Sequence, residues 1–314
     1  MRTVVIGTVN LDITARSFDP IIMNDSNPGS VKTSFGGVGF NIARNLHFLG
    51  LQPEFITGFS DDLYGKSEWD YCRRIDLNIE NSQLIENSVS GQYVSIEDRS
   101  GEMITAVCEA GILDRIDIAK ITDVLKQLEP DDIAVIDANY SQKQLEELIT
   151  STRARVFVDP ISVHKAQRLK NVLGHISLLK PNRNEAAVLT GIGCESEESW
   201  KENIRALLAT GMESVAVTFG ARGVIASDGK GCWQLSCPAD RIVSVSGAGD
   251  SFISGMIYGL AKGFDFAESL KLAQANSLIT LGCETTVDET LSEEKLLGKR
   301  AEIEKRLEIR EIVL

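Results

Sequence analysis

The sequence predicts an α/β protein with a mostly parallel central sheet and helices on both faces. Two observations carry this prediction. Short, continuous apolar runs such as VVIG, IAVID, RVFVD and SVAVT are typical of strands that are buried on both faces. These runs alternate with stretches of helical periodicity, and such alternation indicates βαβ units.

The predicted strands and helices follow one another along most of the chain. In chain order, the strands are expected at residues 3–7, 54–58, 133–137, 155–159, 176–180 and 214–218. The helical stretches are expected near residues 39–49, 66–75, 118–128, 142–151 and 184–190. A charged stretch at 293–310, EEKLLGKRAEIEKRLEIR, is expected to form a further helix with a solvated face.

Two segments interrupt this alternation and predict a small lid of β-strands. Residues 11–35 and 89–107 lack helical periodicity and carry short alternating patterns, such as GQYVSIED followed by EMITAV. We expect them to form additional strands that project from the main sheet. No linker rich in proline, glycine or serine divides the chain, so residues 1–314 are expected to form one domain that carries this lid.

The composition argues against several classes of function. With 32 basic and 45 acidic residues the net charge is −13, which disfavours a nucleic-acid or anionic-membrane surface. The six cysteines are scattered without a CxxC pair, and with only three histidines a structural zinc site is disfavoured. No run approaches the roughly 18 apolar residues of a membrane span and no cleavable leader is recognised, so we expect a cytoplasmic protein with reduced thiols.

A glycine turn followed by an aspartate is the first candidate site. Residues 243–259, VSVSGAGDSFISGMIYG, place Asp250 where a β-branched run and a glycine turn pass into a helix. One interpretation is a helix N-cap, since Asp starts helices and Gly forms turns. The other is an anion site with a base beside it, because small residues let N–H groups converge and the positive helix end favours a phosphate. Both interpretations are open on this stretch alone.

A second glycine cluster, GGVGFNIARNLHFLG at 36–50, lies between the predicted lid and a helix. Its adjacent glycines allow close approach of the backbone to a ligand, and Asn41 lies in the first helical turn. Near the end of the first strand, Asn10 and Asp12 offer an amide and a carboxylate, which suit the vicinal hydroxyls of a sugar. Open α/β sheets bind ligands at such strand ends. The alternative is an ordinary turn from the lid to the core.

Two further turns follow strands in the second half of the chain. KPNRNEA, at 180–186, places Asn182 and Glu185 three residues apart on one helix face. Hard oxygen ligands at that spacing suit Mg²⁺, although the same pair also suits a capping box. TFGARG, at 218–223, is either a ligand-binding glycine turn or a hairpin loop.

Two other phosphate-binding patterns do not fit. Residues 60–67, SDDLYGKS, resemble a Walker A loop, but Ser60 replaces its first glycine and two aspartates would enter the phosphate cradle. Gly7 follows the first strand without the other glycines of a dinucleotide fingerprint. Any phosphate site is therefore expected at the glycine turns described above.

The order of the motifs GGxGxN, NxxE, TxGxxG and GAGD resembles the PfkB, or ribokinase-like, carbohydrate kinase family over nearly the whole chain. The resemblance implies a ribokinase-like fold that transfers the γ-phosphoryl group of ATP to a primary hydroxyl of a sugar or nucleoside, with Mg²⁺ as cofactor. Positioning and charge stabilisation at a helix N-terminus are physically sufficient for such a transfer. Exposed lid strands often pair in this family, so a homodimer through the lid is also expected.

The resemblance implies roles for individual residues. Asp250 is the base that takes the hydroxyl proton, beside an anion hole formed by the backbone amides of Gly247, Ala248 and Gly249. Asn182 and Glu185 organise Mg²⁺ and phosphate. The nucleotide positions are Asn182, Thr218, Gly220, Gly223 and Asn276, the last near the adenine. The sugar positions are Asn10, Asp12, Gly36, Gly37 and Asn41.

The sequence departs from the family pattern ahead of GAGD. Many members carry Asp and Thr there, at a monovalent-cation site, whereas this chain has Ser244 and Val245, so we expect little activation by K⁺. Ser60 also replaces a usual glycine and is expected to affect only a turn. A non-catalytic relative is an alternative, but the joint presence of Asp250, Asn182 and Glu185 argues against it.

The stretch DSNPG in the predicted lid is unusual for a plain ribokinase and favours a nucleoside acceptor. Ser26 and Asn27 are the candidates for contacting the base, unless DSNPG is only a Pro–Gly turn that closes the lid. Asn139 and Lys165, near neighbouring strand ends, are weaker candidates for the same contact. A sugar acceptor is the alternative.

Overall fold

The computed structural model describes residues 1–314 and contains fifteen β-strands and ten α-helices. The strands are β1 (Thr3–Ile6), β2 (Asn10–Ser17), β3 (Gly29–Gly36), β4 (Glu54–Ile56), β5 (Gly58–Ser60), β6 (Gln83–Ile85), β7 (Gln92–Glu97), β8 (Met103–Glu109), β9 (Ile133–Asp137), β10 (Arg155–Asp159), β11 (Leu178–Leu179), β12 (Ser214–Thr218), β13 (Val224–Ser227), β14 (Cys232–Ser236) and β15 (Glu308–Glu311). The helices are α1 (Val38–Phe48), α2 (Leu63–Arg74), α3 (Ile118–Leu125), α4 (Gln142–Thr150), α5 (Val163–Ala166), α6 (Arg183–Thr190), α7 (Glu197–Leu208), α8 (Ala248–Ala261), α9 (Phe266–Leu281) and α10 (Glu293–Ile303).

Nine strands form the central sheet, in the order β15-β14-β13-β12-β11-β10-β9-β1-β4. The strands from β12 to β4 in this order run parallel, whereas β13, β14 and β15 pair antiparallel with their neighbours. The predicted mostly parallel sheet is confirmed. Each of the six predicted strands is present, although β11 is shorter than expected.

Helices cover the central sheet on both faces, as its apolar strands predict. Successive residues of β1 alternate between two hydrophobic clusters: Val4 and Ile6 pack in one cluster and Val5 in the other. The first cluster contains side chains of α3, α4 and α7, and the second contains side chains of α1, α2, α8 and α9. Since both faces are covered, the carboxyl ends of the parallel strands are the place where a ligand can enter.

A second sheet has the strand order β3-β2-β7-β8. Its strands fall in the two segments that interrupt the α/β alternation. The hairpin register pairs Asn10 with Gly36 at one end of β2 and Ser17 with Gly29 at the other. At about 3.3 Å per residue, the loop beyond Ser17 therefore lies about 23 Å along the hairpin from Gly36.

The charged stretch at 293–310 forms the predicted helix only in its first part, and the prediction was wrong for its last residues. α10 ends at Ile303, and Glu308–Glu311 forms β15, which pairs antiparallel with β14. Ile309 packs against the second hydrophobic cluster, while Glu308 and Glu311 are exposed. The alternation of charged and apolar residues at Glu308–Glu311 is therefore that of an edge strand with one partly buried face.

The segment SDDLYGKS starts a helix. Asp62 is the N-cap of α2, and its side chain accepts a hydrogen bond from the N–H of Gly65 at 2.8 Å. The same carboxylate accepts from the N–H of Ser90 at 2.8 Å. A carboxylate at the helix start would repel a phosphate, so the segment is a cap.

No helix combines the length and apolar character needed to cross a bilayer. The six cysteines are all free thiols, and Cys72 and Cys232 are buried.

Candidate active site

The candidate base Asp250 lies in the first turn of α8, directly after a glycine turn. Gly247 is the N-cap residue and adopts the left-handed conformation, with a φ angle of 78°. A Cβ atom at this position would collide with the carbonyl oxygen of Thr286. Both the backbone conformation and the available space therefore require glycine at the start of α8.

Backbone donors at the start of α8 lack protein acceptors. The N–H groups of Gly247, Gly249 and Asp250 donate to no protein acceptor, and the N–H of Ala248 makes only a long bond of 3.4 Å to the carbonyl of Val245. The first N–H groups of a helix carry partial positive charge. They are therefore suited to bind an anion, and we call them the candidate anion-binding surface; it lies directly beside the Asp250 carboxylate.

The Asp250 carboxylate lies in a buried and charged environment, and the residue is 8% exposed. Burial, the largest effect, and the charge of Asp159 raise the pKa of this carboxyl to about 7. The charge of Lys180 and a hydrogen bond from Asn41 oppose the rise. A carboxyl that titrates near neutral pH is suited to accept a proton as a general base.

Asn41 connects the second glycine cluster to the candidate base Asp250. Its Nδ2 atom donates to Oδ2 of Asp250 at 2.8 Å, between α1 and α8. Gly37, the N-cap of α1, has a φ angle of 100°, and a Cβ there would lie 2.5 Å from the carbonyl oxygen of Thr8. Two motifs separated by 209 positions in the chain therefore meet at one site.

A buried ion pair, which the sequence analysis missed, lies beside the candidate anion-binding surface. The Nζ atom of Lys180 is 2.7 Å from Oδ2 of Asp159, near the carboxyl ends of β11 and β10. A Cβ at Gly249 would lie 2.8 Å from this Nζ, so the ammonium is adjacent to the first turn of α8. Burial alone would lower the pKa of Lys180, but the carboxylates of Asp159 and Asp250 raise it. The available signal was a charged residue at the end of one buried strand and another directly after the next.

Asn182 and Glu185 form a capping box at the start of α6. The Asn182 side chain accepts from the N–H groups of Asn184 and Glu185. The Glu185 carboxylate accepts from the N–H of Asn182 at 2.8 Å and from its Nδ2 at 2.7 Å. Burial, followed by the charge of Asp159, raises the pKa of Glu185. The capping alternative therefore describes the local geometry of this motif.

The charges around Lys180 fit an additional cation. Asp159, Glu185 and Asp250 are buried carboxylates, and all three act electrostatically on the single buried ammonium. No group of three His, Cys, Asp or Glu side chains is arranged to hold a metal ion without other ligands. Mg²⁺ commonly keeps several waters and few protein ligands, so this excess of buried negative charge fits an ion held largely by phosphates and water rather than by these carboxylates.

The TFGARG turn lies next to the capping box. The N–H of Thr218 donates to the carbonyl of Pro181 at 2.9 Å, and Thr218 forms a parallel bridge with Asn182. The chain then returns into the antiparallel strand β13. Gly220 and Gly223 have positive φ angles of 62° and 89°. The hairpin alternative therefore describes this connection, and the hairpin places Thr218 beside Asn182.

Asn10, Asp12 and Gly36 lie together at one end of the second sheet. Asn10 pairs with Gly36, and the Asp12 carboxylate occupies the space that a Cβ of Gly36 would need. A Cβ at Gly91 would likewise lie 2.5 Å from Oδ1 of Asn10. Burial raises the pKa of Asp12 to about 7, and the charge of Arg44 opposes the rise. The structure thus packs the Asp12 carboxylate against Gly36 and the Asn10 amide against Gly91.

Asn139 and Lys165 contact each other. The Nζ of Lys165 donates to Oδ1 of Asn139 at 2.5 Å, and Nδ2 of Asn139 donates to Oγ1 of Thr8 at 2.9 Å. Beside them, the buried Asp137 accepts from the N–H groups of Thr8 at 2.8 Å and Gly39 at 3.0 Å. Asp137 thereby ties the ends of β1 and β9 to the start of α1. No motif in the sequence marks Asp137, although it ends a buried strand.

The DSNPG stretch does not reach this site within the chain. Asn27 donates to the carbonyls of Ile22 and Asp25 and accepts from the N–H of Ile22, so its side chain closes its own loop. Ser26 is exposed in the same loop. DSNPG is therefore a turn at the far end of the β2–β3 hairpin, as the alternative interpretation has it, and a contact of Ser26 or Asn27 with the base stays a prediction.

Asn276 is also placed differently from the expectation. It is fully buried in α9, and its Nδ2 donates to Oδ1 of Asn45 at 3.1 Å and to the carbonyl of Ser251 at 2.8 Å. In this structure the side chain therefore has no surface open to an adenine. Asn276 instead joins α9 to α1 and α8.

Comparison with known proteins identifies the family. The model of the pfkB family carbohydrate kinases matches residues 2–292, and the chain belongs to this family. It is therefore a phosphotransferase that uses an alcohol group as acceptor, and the family implies the use of ATP.

Individual relatives agree with this assignment. The chain is 31% identical to pseudouridine kinase of Escherichia coli (strain K12) over 291 residues, which covers 92% of this chain and 93% of the relative. It is 26% identical to guanosine-inosine kinase of Exiguobacterium acetylicum over 286 residues, or 86% of this chain and 91% of the relative. The structure of Arabidopsis thaliana ribokinase complexed with ribose and ATP superimposes with a TM-score of 0.80 at 20% identity, over 95% of this chain and 98% of that one. The ribokinase-like fold is thus confirmed.

Proposed function

We propose that this protein is an ATP-dependent kinase that phosphorylates the 5′-hydroxyl of pseudouridine, giving pseudouridine 5′-phosphate and ADP. The observation that carries the chemistry is a buried carboxylate, Asp250, beside unpaired N–H groups at the start of α8. The choice of pseudouridine is supported by the similarity to the Escherichia coli enzyme over most of both chains.

In this proposal each group at the start of α8 has one task. Asp250 accepts the proton of the acceptor hydroxyl, whose oxygen bonds to the γ-phosphorus as the bond to the ADP oxygen breaks. The N–H groups of Gly247 and Gly249 bind the oxygens of the transferring group, and the Lys180 ammonium neutralises their charge. Mg²⁺, when bound, supplies further charge neutralisation on the phosphates, and Asn182 and Glu185 would hold it through water.

Different segments of the chain are proposed to bind the acceptor and the nucleotide. Asn10 and Asp12 are suited to bind the ribose hydroxyls, because one offers an amide and the other a carboxylate in a site where glycines permit close approach. The residues proposed to complete the acceptor side are Gly36, Gly37 and Asn41. The residues proposed for the nucleotide side are Asn182, Thr218, Gly220 and Gly223.

Discrimination against uridine follows from the chemistry of pseudouridine. Its C–C glycosidic bond leaves ring N1–H free as an extra donor, and a site that pairs a polar group with this donor rejects the analogue that lacks it. The proposed acceptor for this donor is Oδ1 of Asn139, and Lys165, which donates to the same oxygen, is proposed to orient it. We expect kcat/KM for pseudouridine to exceed that for uridine at least about tenfold, or about 1.4 kcal/mol.

A phosphorylation assay with pseudouridine, uridine, ribose, fructose and adenosine tests the proposal. Equal rates on uridine, or a preference for free ribose or fructose, would contradict pseudouridine and indicate another sugar or nucleoside kinase. ATP binding without transfer to any acceptor would indicate a non-catalytic relative. Lys165→Met is expected to shrink the pseudouridine-to-uridine ratio, whereas Lys126→Met, at the exposed C-cap of α3, is the matched control.

We further propose that two copies associate through one face of the second sheet. Val31 and Val107 are each 69% exposed and Ile96 is 41% exposed. The register places them on the same face, since Ala15 pairs with Val31 and Ile96, and Val107 pairs with Val94. An apolar patch of this kind marks an interaction surface. Light scattering should give a dimer for the wild type and a monomer for Val31→Lys; a monomeric wild type would contradict the proposal.

A further inference from the structure

Arg44 is a buried cation on α1, one helical turn after Asn41, and only 4% of the residue is exposed. Its guanidinium carbon lies 4.6 Å from the centre of the Phe40 ring and 5.9 Å from that of Tyr71. Burying a charge is costly unless its donors are paired. The partners of Arg44 therefore indicate what this cation does.

The hydrogen bonds of Arg44 fix the orientation of an amide. Nη2 of Arg44 donates to Oδ1 of Asn41 at 2.8 Å and to Oγ1 of Thr286 at 3.1 Å. The Thr286 hydroxyl donates in turn to the same Oδ1 at 2.9 Å. Two donors thus hold the amide oxygen, so the amide nitrogen of Asn41 is the end that faces Asp250, to which it donates at 2.8 Å.

We propose that Arg44 is a positioning residue for the base Asp250, acting through the orientation of the Asn41 amide; this rests on the function proposed above. If the amide turned over, its oxygen would face the Asp250 carboxylate. The base would lose a donor and face an acceptor, which favours its protonated form. A protonated Asp250 cannot take the proton of the acceptor hydroxyl.

Direct electrostatic action of Arg44 on the base is the alternative. Other charged and titratable groups face the same network from neighbouring elements. Those around Arg44 are Asp12, Tyr71, Cys72 and, through the Tyr71 hydroxyl, Glu289. Those around Asp250 are Asp137, Asp159 and Lys180. The experiment must therefore separate an effect through Asn41 from an effect through the field of these charges.

A double-mutant cycle of Arg44→Met and Asn41→Ala in the full chain makes this separation. In the wild-type background, Arg44→Met is expected to lower kcat about tenfold and to raise the pKa of Asp250 by about one unit, which is a tenfold change in the ionisation equilibrium. The pKa is measured from the carbon-13 shift of the Asp250 carboxyl and from the acid limb of kcat/KM. In the Asn41→Ala background the same substitution is expected to change neither quantity. Equal effects in both backgrounds would overturn the proposal.

Arg300→Met is the matched control for the loss of a partly buried arginine. The hydrogen bonds of Arg300 to Glu268 join α10 to α9 and involve neither Asn41 nor Asp250. This variant is therefore expected to keep kcat and the pKa of Asp250. Thermal unfolding of every variant measures folding separately, and Arg44→Gln takes the place of Arg44→Met if the latter does not fold. The carbon-13 titration needs no substrate. A protein that shows the Arg44 effect but phosphorylates no acceptor would contradict the proposed function and still support the positioning role.

Discussion

Lys180 and Asp159 form an ion pair with 2.7 Å between Nζ and Oδ2, and both side chains are less than a tenth exposed. Buried ion pairs contribute little net stability, because desolvation offsets their attraction. This pair lies where a Cβ of Gly249 would be 2.8 Å from the ammonium, next to the anion-binding N–H groups of α8. It therefore keeps a cation beside the proposed phosphoryl position in a chain with a net charge of −13.

Lys180→Met is expected to lower kcat by about 10²–10³, because the transferring group loses a charged donor. Steady-state kinetics with the acceptor and ATP measures the change. The substitution also leaves Asp159 unpaired, which costs stability on the order of 3–5 kcal/mol. Lys180→Met combined with Asp159→Asn is expected to recover thermal stability but not kcat; recovery of kcat in this double variant would contradict the role of Lys180.

Asp250→Asn keeps the shape of the side chain and removes its capacity to accept a proton. We expect kcat to fall by roughly 10² or more, the usual scale of general-base catalysis. The affinity for ADP, measured by calorimetry, is expected to change little. Turnover close to that of the wild type in the purified variant would refute Asp250 as the base.

The rate is expected to rise with pH and to level off above neutrality. Burial, with the charge of Asp159, raises the pKa of Asp250 to about 7, and a base works only in its deprotonated form. Below that pKa, kcat/KM is expected to fall about tenfold per pH unit. Asp12, whose pKa burial also raises to about 7, titrates in the same range, so the profile is compared with that of Asp12→Asn. A profile that stays flat from pH 5 to pH 8, about two units below the Asp250 pKa and one above it, would disagree with this prediction.

Gly247→Ala is expected to destabilise the protein by at least about 1–3 kcal/mol and to reduce kcat. The position has a φ angle of 78°, and the new Cβ would collide with the carbonyl of Thr286. Gly298→Ala is the control, because a Cβ there meets nothing within 4 Å inside α10 and is expected to stabilise by about 0.5–1 kcal/mol. Urea unfolding measures both; similar stabilities of the two variants would argue against a strained glycine turn.

Activity is expected to depend strongly on Mg²⁺ and only weakly on K⁺. The hydroxyl of Ser244 accepts from the N–H of Ser246 at 3.2 Å, and neither Ser244 nor Val245 offers a carboxylate. A KCl titration against a bulky organic cation at fixed ionic strength measures the dependence. A large rise specific to K⁺ would show that other oxygens form a monovalent-cation site.

The central sheet could be predicted because its strands are buried on both faces and therefore lack polar interruptions. IAVID and RVFVD form β9 and β10 with the expected bounds. Charge composition misled the prediction at Glu308–Glu311, because only pairing with β14 distinguishes a charged edge strand from a solvated helix. Strand partners that are distant in the chain are not visible in a local pattern.

The candidate site could be predicted only in part for the same reason. Asn41 and Asp250 follow glycine turns, which mark them in the sequence, and the fold joins them by a hydrogen bond. The Lys180–Asp159 pair depends on the adjacency of β10 and β11, which no motif records. The position of Asn27 depends on the hairpin register, which places its loop far from Gly36.

The two ends of the central sheet are protected in different ways. At one end β15 exposes the charged residues Glu308 and Glu311, and at the other β4 is buried and Glu54 forms a bridge with Asn78. Charged or covered edges resist the addition of a strand from another molecule. The same charge pattern that resembles a helix in the sequence therefore protects the folded sheet against uncontrolled polymerisation.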